Sequence, residues 1–406
     1  MGRNIILITA VVLITSFAAN TLAEISPKYV VIDLGIGTAL SINNNGQIVG
    51  QSRFQHGESW FNRATLFDPN GDGNNIDLGT LGGDESWAFS INDNGQIAGC
   101  AENSSDYTRA VIFDPNGTAN NVDLGTLPDA NESRAVSINN NGQIVGSVDI
   151  GDAMYMQNVA VLFDPNGTGN NINLGTLGGD VSFASCINDN GQIVGSAYTA
   201  SSEYQHPTLF DATGGENNID MVTPGGDIGI AHSINDNGQI VGWSAVPGPG
   251  YLDWRAVIFD PCDSNNNVNL GTIDFPGNIF HNYSYARSIN NNGQIVGYVD
   301  VAISGLNAVL FDATGDGNNI LLNDLIDPDS ELVIEEAYGI NDDGWIVGLG
   351  RYNRLGSYRA ILLKPVTCTE PLAGDVNDDC KVDLADFAII SNNWLGCNLD
   401  PPEACW

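Results

Sequence analysis

In GDVNDDCKVDLAD, residues 374–386, oxygen-bearing side chains recur at the spacing of a calcium loop. Asp375, Asn377, Asp379, Asp383 and Asp386 stand at positions 1, 3, 5, 9 and 12 of a twelve-residue loop, with the Lys381 carbonyl at position 7. Calcium takes about six to eight hard oxygen ligands, and this spacing wraps them around one ion. Leu384, Phe387, Ile390 and Trp394 follow at three- or four-residue intervals. That pattern predicts a helix with one apolar face directly after the loop. Asp68-x-Asn70-x-Asp72-Gly73 and Asp312-x-Thr314-x-Asp316-Gly317 begin similarly, but Ile76 and Ile320 stand where a ninth-position oxygen is wanted. Both read as hairpin turns.

A second group of residues suits recognition of sugar rings, whose flat apolar faces stack on aromatic side chains. Trp60, Trp243 and Trp254 lie in polar stretches that vary along the chain, and Tyr283 sits in the longest of these, DFPGNIFHNYSYAR (274–287). The same stretch carries His281, a possible base, with Tyr283 and Arg287 as neighbours able to polarise a substrate. His56, His206 and His232 also lie in or beside variable stretches, without a recognisable catalytic or metal-ligand spacing. The ligand-binding candidates are therefore Trp60, Trp243, Trp254, His281 and Tyr283, and no catalytic residue is assigned.

The elements that must hold these residues repeat. SINNNGQIVG at Ser41 returns in close variants at Ser90, Ser137, Cys186, Ser233, Ser288 and Gly339. In residues 84–127, Ser86–Asn92 alternates as a strand does, and an Asn-Gly turn returns the chain through Gln96–Cys100. A third strand follows at Arg109–Phe113, then an Asp-Pro-Asn-Gly turn and a fourth strand, Val122–Leu127. Four short strands per repeat of roughly fifty residues predict a β-propeller. The third-strand element occurs seven times. So does the fourth, but displaced: it appears first as Ile32-Asp33-Leu34-Gly35 and is missing after Leu363. The fold expected is thus all-β, a seven-bladed propeller closed by its N-terminal strand, followed by the small calcium-loop module. Naming the strands a to d, the a–b and c–d turns share one nearly uniform face. The varied b–c and d–a loops form the other, where a binding site belongs.

The chain of 406 residues carries 49 acidic and 13 basic side chains, a net charge of −36, which repels nucleic acid. Arg3, the apolar run Ile5 to Ala19 and Thr21-Leu22-Ala23 have the parts of a secretory signal peptide over residues 1–23. No later run is long enough to span a membrane, so the mature chain is expected to be secreted. Of seven cysteines, Cys368, Cys380, Cys397 and Cys405 crowd the end, which suits disulfides in an oxidising compartment.

The repeated Arg-Ala start, Leu-Phe strand, Asp-Leu-Gly-Thr-Leu and Ile-Asn-x-x-Gly-Gln-Ile-Val-Gly resemble the bacterial HAF-type extracellular repeat over residues 29–366. The family's His is mostly Arg or Asn here, at Arg63, Arg109, Asn158, Arg255 and Arg359, with His206-Pro207 the nearest departure. That resemblance implies an exported repeat protein. Residues 374–395 resemble one half of a type I dockerin, implying calcium as cofactor and a cohesin-like partner. Position 6 of the loop is Cys380 rather than Gly, and no second loop follows Cys397. The domains expected are a signal peptide (1–23), the propeller (24–366) and the dockerin-like module (367–406). The function expected is non-enzymatic binding of an extracellular polysaccharide or surface protein. A secreted carbohydrate-active enzyme and a structural component of the cell envelope are the alternatives.

Overall fold

The computed structural model describes residues 28–56, 59–151, 157–201, 204–215, 217–221, 228–247, 252–273, 282–301, 305–353 and 356–366, all within the compact unit Pro27–Val366. The signal peptide and the dockerin-like module lie outside the described residues. So does His281.

Among the described residues the strands form five four-stranded antiparallel sheets and one seven-stranded sheet. The larger sheet contains two blades because the first strand, Tyr29–Ile42, serves both. Its first half pairs with Tyr358–Pro365, from Tyr29↔Pro365 to Ile36↔Arg359, as the outer strand of blade 7. Its second half pairs with Ile48–His56, from Gly37↔Ser52 to Ile42↔Ile48, as the inner strand of blade 1. Successive inner strands adjoin one another, the last meeting the first. The molecule is a seven-bladed β-propeller closed by its N-terminal strand, as the displaced fourth-strand element predicts.

The outer strands are shorter than expected. Val122–Leu127 contributes only Val122–Asp123 to the ladder. Asp123 explains this: its carboxylate accepts the Gly125 N–H at 2.8 Å, and Gly125 takes φ +76°, turning the chain inward. Leu124 is thereby delivered into the core, where it is fully buried.

Seven apolar cores result, one at each interface between blades. In one, Val49, Ala64 and Leu78 of blade 1 meet Ala88, Ile91, Ile97 and Phe113 of blade 2. In the closing one, Leu34, Val347, Ala360 and Leu362 of blade 7 meet Ala39, Ile42, Ile48 and Phe67 of blade 1. Each blade contributes to two cores, so closure of the ring completes the last.

The recurring Ile-Asn-Asx-x-Gly turn joins the blades as well as turning the chain. Asn43 Oδ1 accepts the backbone N–H groups of Asn45 and Gln47, shaping its own hairpin. Its Nδ2 donates to Gln47 Oε1 and to the Asn92 carbonyl of the next blade. The inter-blade bond repeats through Asn92, Asn139, Asn188, Asn235, Asn290 and Asn341, which donates back to the Asn43 carbonyl. All seven bonds measure 2.8–3.1 Å. A second closed ring joins the next residues: each backbone N–H donates to the side-chain Oδ1 one blade on, at 2.7–2.9 Å. Around this ring Asn44, Asp93, Asn140 and Asp189 alternate, so amides sit between carboxylates. Seven is odd, and the alternation fails once, where Asp189 adjoins Asp236. The rings surround a cavity of about 180 Å³ on the turn face.

Asn188 is buried, and all of its amide hydrogen-bonding groups are engaged within its turn and to Asn235. Asn188→Ala is expected to cost about 2–4 kcal/mol, because buried partners lose their hydrogen bonds. Asn188→Asp, which sets a carboxylate against Gln192 Oε1 and the Asn235 carbonyl, is expected to cost more at neutral pH. Urea denaturation measures both. A wild-type midpoint for the Asp variant shows that the ring contributes nothing to stability.

A further device explains the Arg positions of the repeat. Arg63 pairs with Asp77, Arg109 with Asp123, His206 with Asp220 and Arg359 with Asp33, at 3.5, 3.4, 3.0 and 2.8 Å. Each pair holds an outer strand onto strand c. In blade 3 both positions are amides, Asn158 and Asn173.

Candidate ligand-binding face

The b–c and d–a loop face gathers aromatic side chains where blades 5 and 6 adjoin. Trp243 on Ile240–Pro247 and Trp254 on Leu252–Phe259 are diagonal neighbours across paired strands, with ring centroids 5.2 Å apart. Tyr283 and Tyr285 alternate along the inner strand of blade 6, Asn282–Ile289, so they project to one side. Trp254 lies 5.2 Å from Tyr283, and Trp243 lies 5.9 Å from Tyr285. Tyr285 then stacks on its cross-strand partner Tyr298 at 4.9 Å. Five rings thus form one continuous patch. Its outermost member, Trp254, is 37% exposed.

Inward from this patch lies a cluster of polar groups. Each inner strand carries a β-bulge just before the turn motif, and the extra residues are Leu40, Phe89, Val136, Ser185, His232, Arg287 and Tyr338. A bulge re-aims a side chain. Arg287 Nη1 donates to His232 Nε2 at 3.2 Å, and Arg287 Nη2 donates to the Tyr298 hydroxyl at 3.1 Å. Burial, reinforced by the Arg287 charge, pushes the His232 imidazole down to about 3, so it is neutral and accepts. The Arg287 guanidinium carbon lies 5.3 Å from the Tyr298 ring centroid, and among the described residues its buried Nε has no hydrogen-bond partner. Burial pushes Glu336 above the usual carboxylate range, opposed by its hydrogen bond with Tyr338 and by Arg287. Tyr338 and Tyr285 are likewise raised by burial. Blades 5–7 therefore bring titratable groups together, whereas blades 1–3 supply Leu40, Phe89 and Val136 at the corresponding positions.

Of the residues singled out from sequence, Trp243, Trp254 and Tyr283 come together. Trp60 is 53% exposed on Ser59–Phe67 of blade 1 and lines a separate cleft. Of the histidines, His206 bonds Asp220 of the outer strand of blade 4 and His232 is packed beside Arg287, while the His56 side chain and His281 lie outside the described residues. Tyr285, Tyr298, Glu336 and Tyr338 were not singled out. Of these only Tyr338 leaves a sequence signal: it stands between a constant Ala and the turn motif, at a position that changes from copy to copy. Asp68 and Asp312, the calcium-like turns, spend their carboxylates on turn hydrogen bonds with Asn70 and Asn74, and with Thr314 and Asn318. Among the described residues no group of three or more His, Cys, Asp or Glu side chains is placed to hold a metal. The expected calcium ligands Asp375, Asn377, Asp379, Lys381, Asp383 and Asp386 lie outside the described residues.

Sheet pairing and ring closure define a seven-bladed β-propeller. The chain belongs to the family described as Protein of unknown function (DUF3466), which matches residues 33–177 and 216–356. No curated protein matches it. Among solved structures, a gluconolactonase from Xanthomonas campestris is similar, with 11% identity and a TM-score of 0.39, over 86% of this chain and 93% of that one.

Proposed function

We propose that this is an exported, non-enzymatic binding protein of the HAF-repeat type, whose loop face holds an extracellular polysaccharide. The observation that carries this reading is the ring patch Trp243–Trp254–Tyr283–Tyr285, which offers flat apolar faces beside polar groups. The dockerin-like tail, with calcium held by Asp375, Asn377, Asp379, the Lys381 carbonyl, Asp383 and Asp386, serves as an attachment element for a cohesin-like partner. A surface protein as ligand is the other form of this reading.

A second reading, a secreted carbohydrate-active enzyme, draws on Glu336, Tyr338 and neutral His232, because displaced titrations gather at catalytic sites, and on Arg287, which bonds His232. Affinity electrophoresis of the full chain against soluble polysaccharides tests the first reading, and release of reducing ends in the same mixtures tests the second. Retardation by a glycan is expected, and Trp254→Ala is expected to weaken it at least tenfold, the usual scale for an aromatic anchor. No retardation by any glycan, or none lost in a Trp254→Ala/Tyr283→Ala variant, overturns the aromatic patch as the site. Turnover lost on Glu336→Gln selects the enzyme.

A further inference from the structure

Nine Asn-Gly pairs stand at hairpin turns of the ring. Six close the a–b turns, at Asn45, Asn94, Asn141, Asn190, Asn237 and Asn292, and three sit in the c–d turns of blades 1–3, at Asn70, Asn116 and Asn166. All nine asparagines are exposed. Both sets adopt one kind of turn. The glycine N–H donates to the carbonyl three residues before it, at 3.0 Å for Gly46 and for Gly117, with φ +74° and +65°.

Asparagine is a thermolabile residue, most of all before glycine, where no Cβ hinders approach of the glycine nitrogen to the asparagine Cγ. The nitrogen gives up its proton and bonds to Cγ, the Cγ–Nδ2 bond breaks, and ammonia leaves with that proton. Water then opens the succinimide to aspartate or to isoaspartate, whose main chain is one methylene longer.

The two sets differ in what holds the amide. Asn45 Nδ2 donates to the Asp93 carbonyl of the next blade, and its five counterparts do the same around the ring, at 2.7–2.9 Å. Their Cγ atoms cannot turn to the glycine nitrogen until an inter-blade bond breaks. Asn116 and Asn166 instead donate to Asp114 and Asp164 of their own turns, at 3.0 and 3.2 Å. Among the described residues none of the three c–d amides is bonded to another blade.

The c–d turn does not need asparagine. Thr213 and Thr314 replace it in blades 4 and 6, and Gly214 and Gly315 keep the turn bond at 3.0 and 3.1 Å. These turns also press on the neighbouring blade. An added Cβ at Gly71, Gly117 or Gly167 meets the carbonyl oxygen of Asp33, Asp77 or Asp123 at 2.5–2.8 Å. Those aspartates are the outer-strand partners of Arg359, Arg63 and Arg109.

We propose that Asn70, Asn116 and Asn166 are sites of spontaneous succinimide-forming modification in the folded protein, from which ring closure withholds the six inner Asn-Gly pairs. Isoaspartate formed in a c–d turn lengthens the main chain against the outer strand it abuts, and loosens that strand.

The test incubates the full chain at mildly alkaline pH, folded and in urea. Peptide mapping follows each pair by its gain of one mass unit and separates isoaspartate from aspartate by elution. In urea all nine pairs are expected to react alike. In the folded protein the three c–d pairs are expected to react at least about threefold faster than the six ring pairs, the scale of breaking one hydrogen bond. As isoaspartate accumulates, Tm is expected to fall by about 2–4 °C, the scale for losing one polar contact in a large domain. An Asn70→Thr/Asn116→Thr/Asn166→Thr variant, matched to the turns of blades 4 and 6, is expected to keep its Tm through the same incubation. Ring pairs that react as fast as the c–d pairs, or faster, in the folded protein overturn protection by closure. Reaction at all nine pairs in urea but at none in the folded protein overturns the c–d turns as sites. A Tm that falls as far in the Thr variant as in wild type overturns the link to the outer strands.

Discussion

Gly195→Ala is expected to destabilise the propeller by about 4 kcal/mol or more, beyond the common range for a single substitution. Gly195 closes one copy of Gly-Gln-Ile-Val-Gly on the second strand of blade 4, Ile193–Thr199. A Cβ there meets the Phe183 carbonyl oxygen at 2.0 Å and Ala184 Cα at 3.0 Å. Both obstacles are backbone of the paired inner strand, so no rotamer change relieves them. The cause is the bulge between Ala184 and Cys186, opposite which the second strand passes unusually close. The same glycine in the other six blades, from Gly50 to Gly348, meets a carbonyl oxygen at 1.9–2.0 Å. Close approach, not backbone freedom, is what these positions require. Gly169 is the comparison: its φ is +88°, nothing lies within 4 Å of an added Cβ, and Gly169→Ala is expected to cost about 1 kcal/mol in backbone strain. Denaturant unfolding of the two variants separates the explanations. A Gly195→Ala protein within about 1 kcal/mol of wild type shows that the bulge relaxes and that the glycine is not needed for fit.

How much of this was legible in the sequence follows from how far apart the interacting groups are. Blade number and closure were legible because both rest on local strings: seven Asn-Gly turns, seven third strands, and one fourth strand moved to the front. The role of Asn43 was legible only in part. Its hold on Asn45 and Gln47 lies within one turn, but its bond to the Asn92 carbonyl joins residues 49 apart, and no local rule places them together. The meeting of Trp254 with Tyr283 is hidden in the same way, since it follows from neighbouring blades packing. The pairs at Arg109–Asp123 and Arg359–Asp33 did leave a signal. Copies with Arg on strand c carry Asp on strand d, and blade 3 carries Asn on both. Blade 5 breaks the rule, with Asn269 on strand d, and there Arg255 turns instead to Asp253 at 2.9 Å. The outer strands were overestimated because Asp-Leu-Gly-Thr-Leu has a strand's alternation, while Asp123 and Gly125 end the ladder through an Asx turn that periodicity does not register.

Removing residues 24–36 is expected to abolish the closed ring, and Asp33→Asn to weaken it in a pH-dependent way. Without the first half of the opening strand, Tyr358–Pro365 becomes an unpaired edge and the closing core loses Leu34, which is 2% exposed. An exposed edge beside an open apolar core invites association with other chains, so size-exclusion chromatography is expected to show aggregate in place of monomer. Asp33 is the polar fastening of the same strand. Its carboxylate accepts from Arg359 Nε at 2.9–3.0 Å, from the Tyr352 hydroxyl at 2.8 Å and from the Gly35 N–H at 2.9 Å. Burial pushes its pKa up, but these donors and the Arg359 charge outweigh that and hold it below the ordinary aspartate value. A carboxylate held lower in the folded state stabilises that state above its unfolded pKa, and the contribution is lost as pH falls through the folded pKa. Wild type is therefore expected to exceed Asp33→Asn in stability at neutral pH, and the gap is expected to narrow in acid as Asp33 takes up its proton. Denaturant midpoints of both proteins across an acid series measure the gap. A gap that stays constant, or widens in acid, excludes the Asp33 carboxylate as the fastening and leaves closure to Leu34 and the backbone ladder.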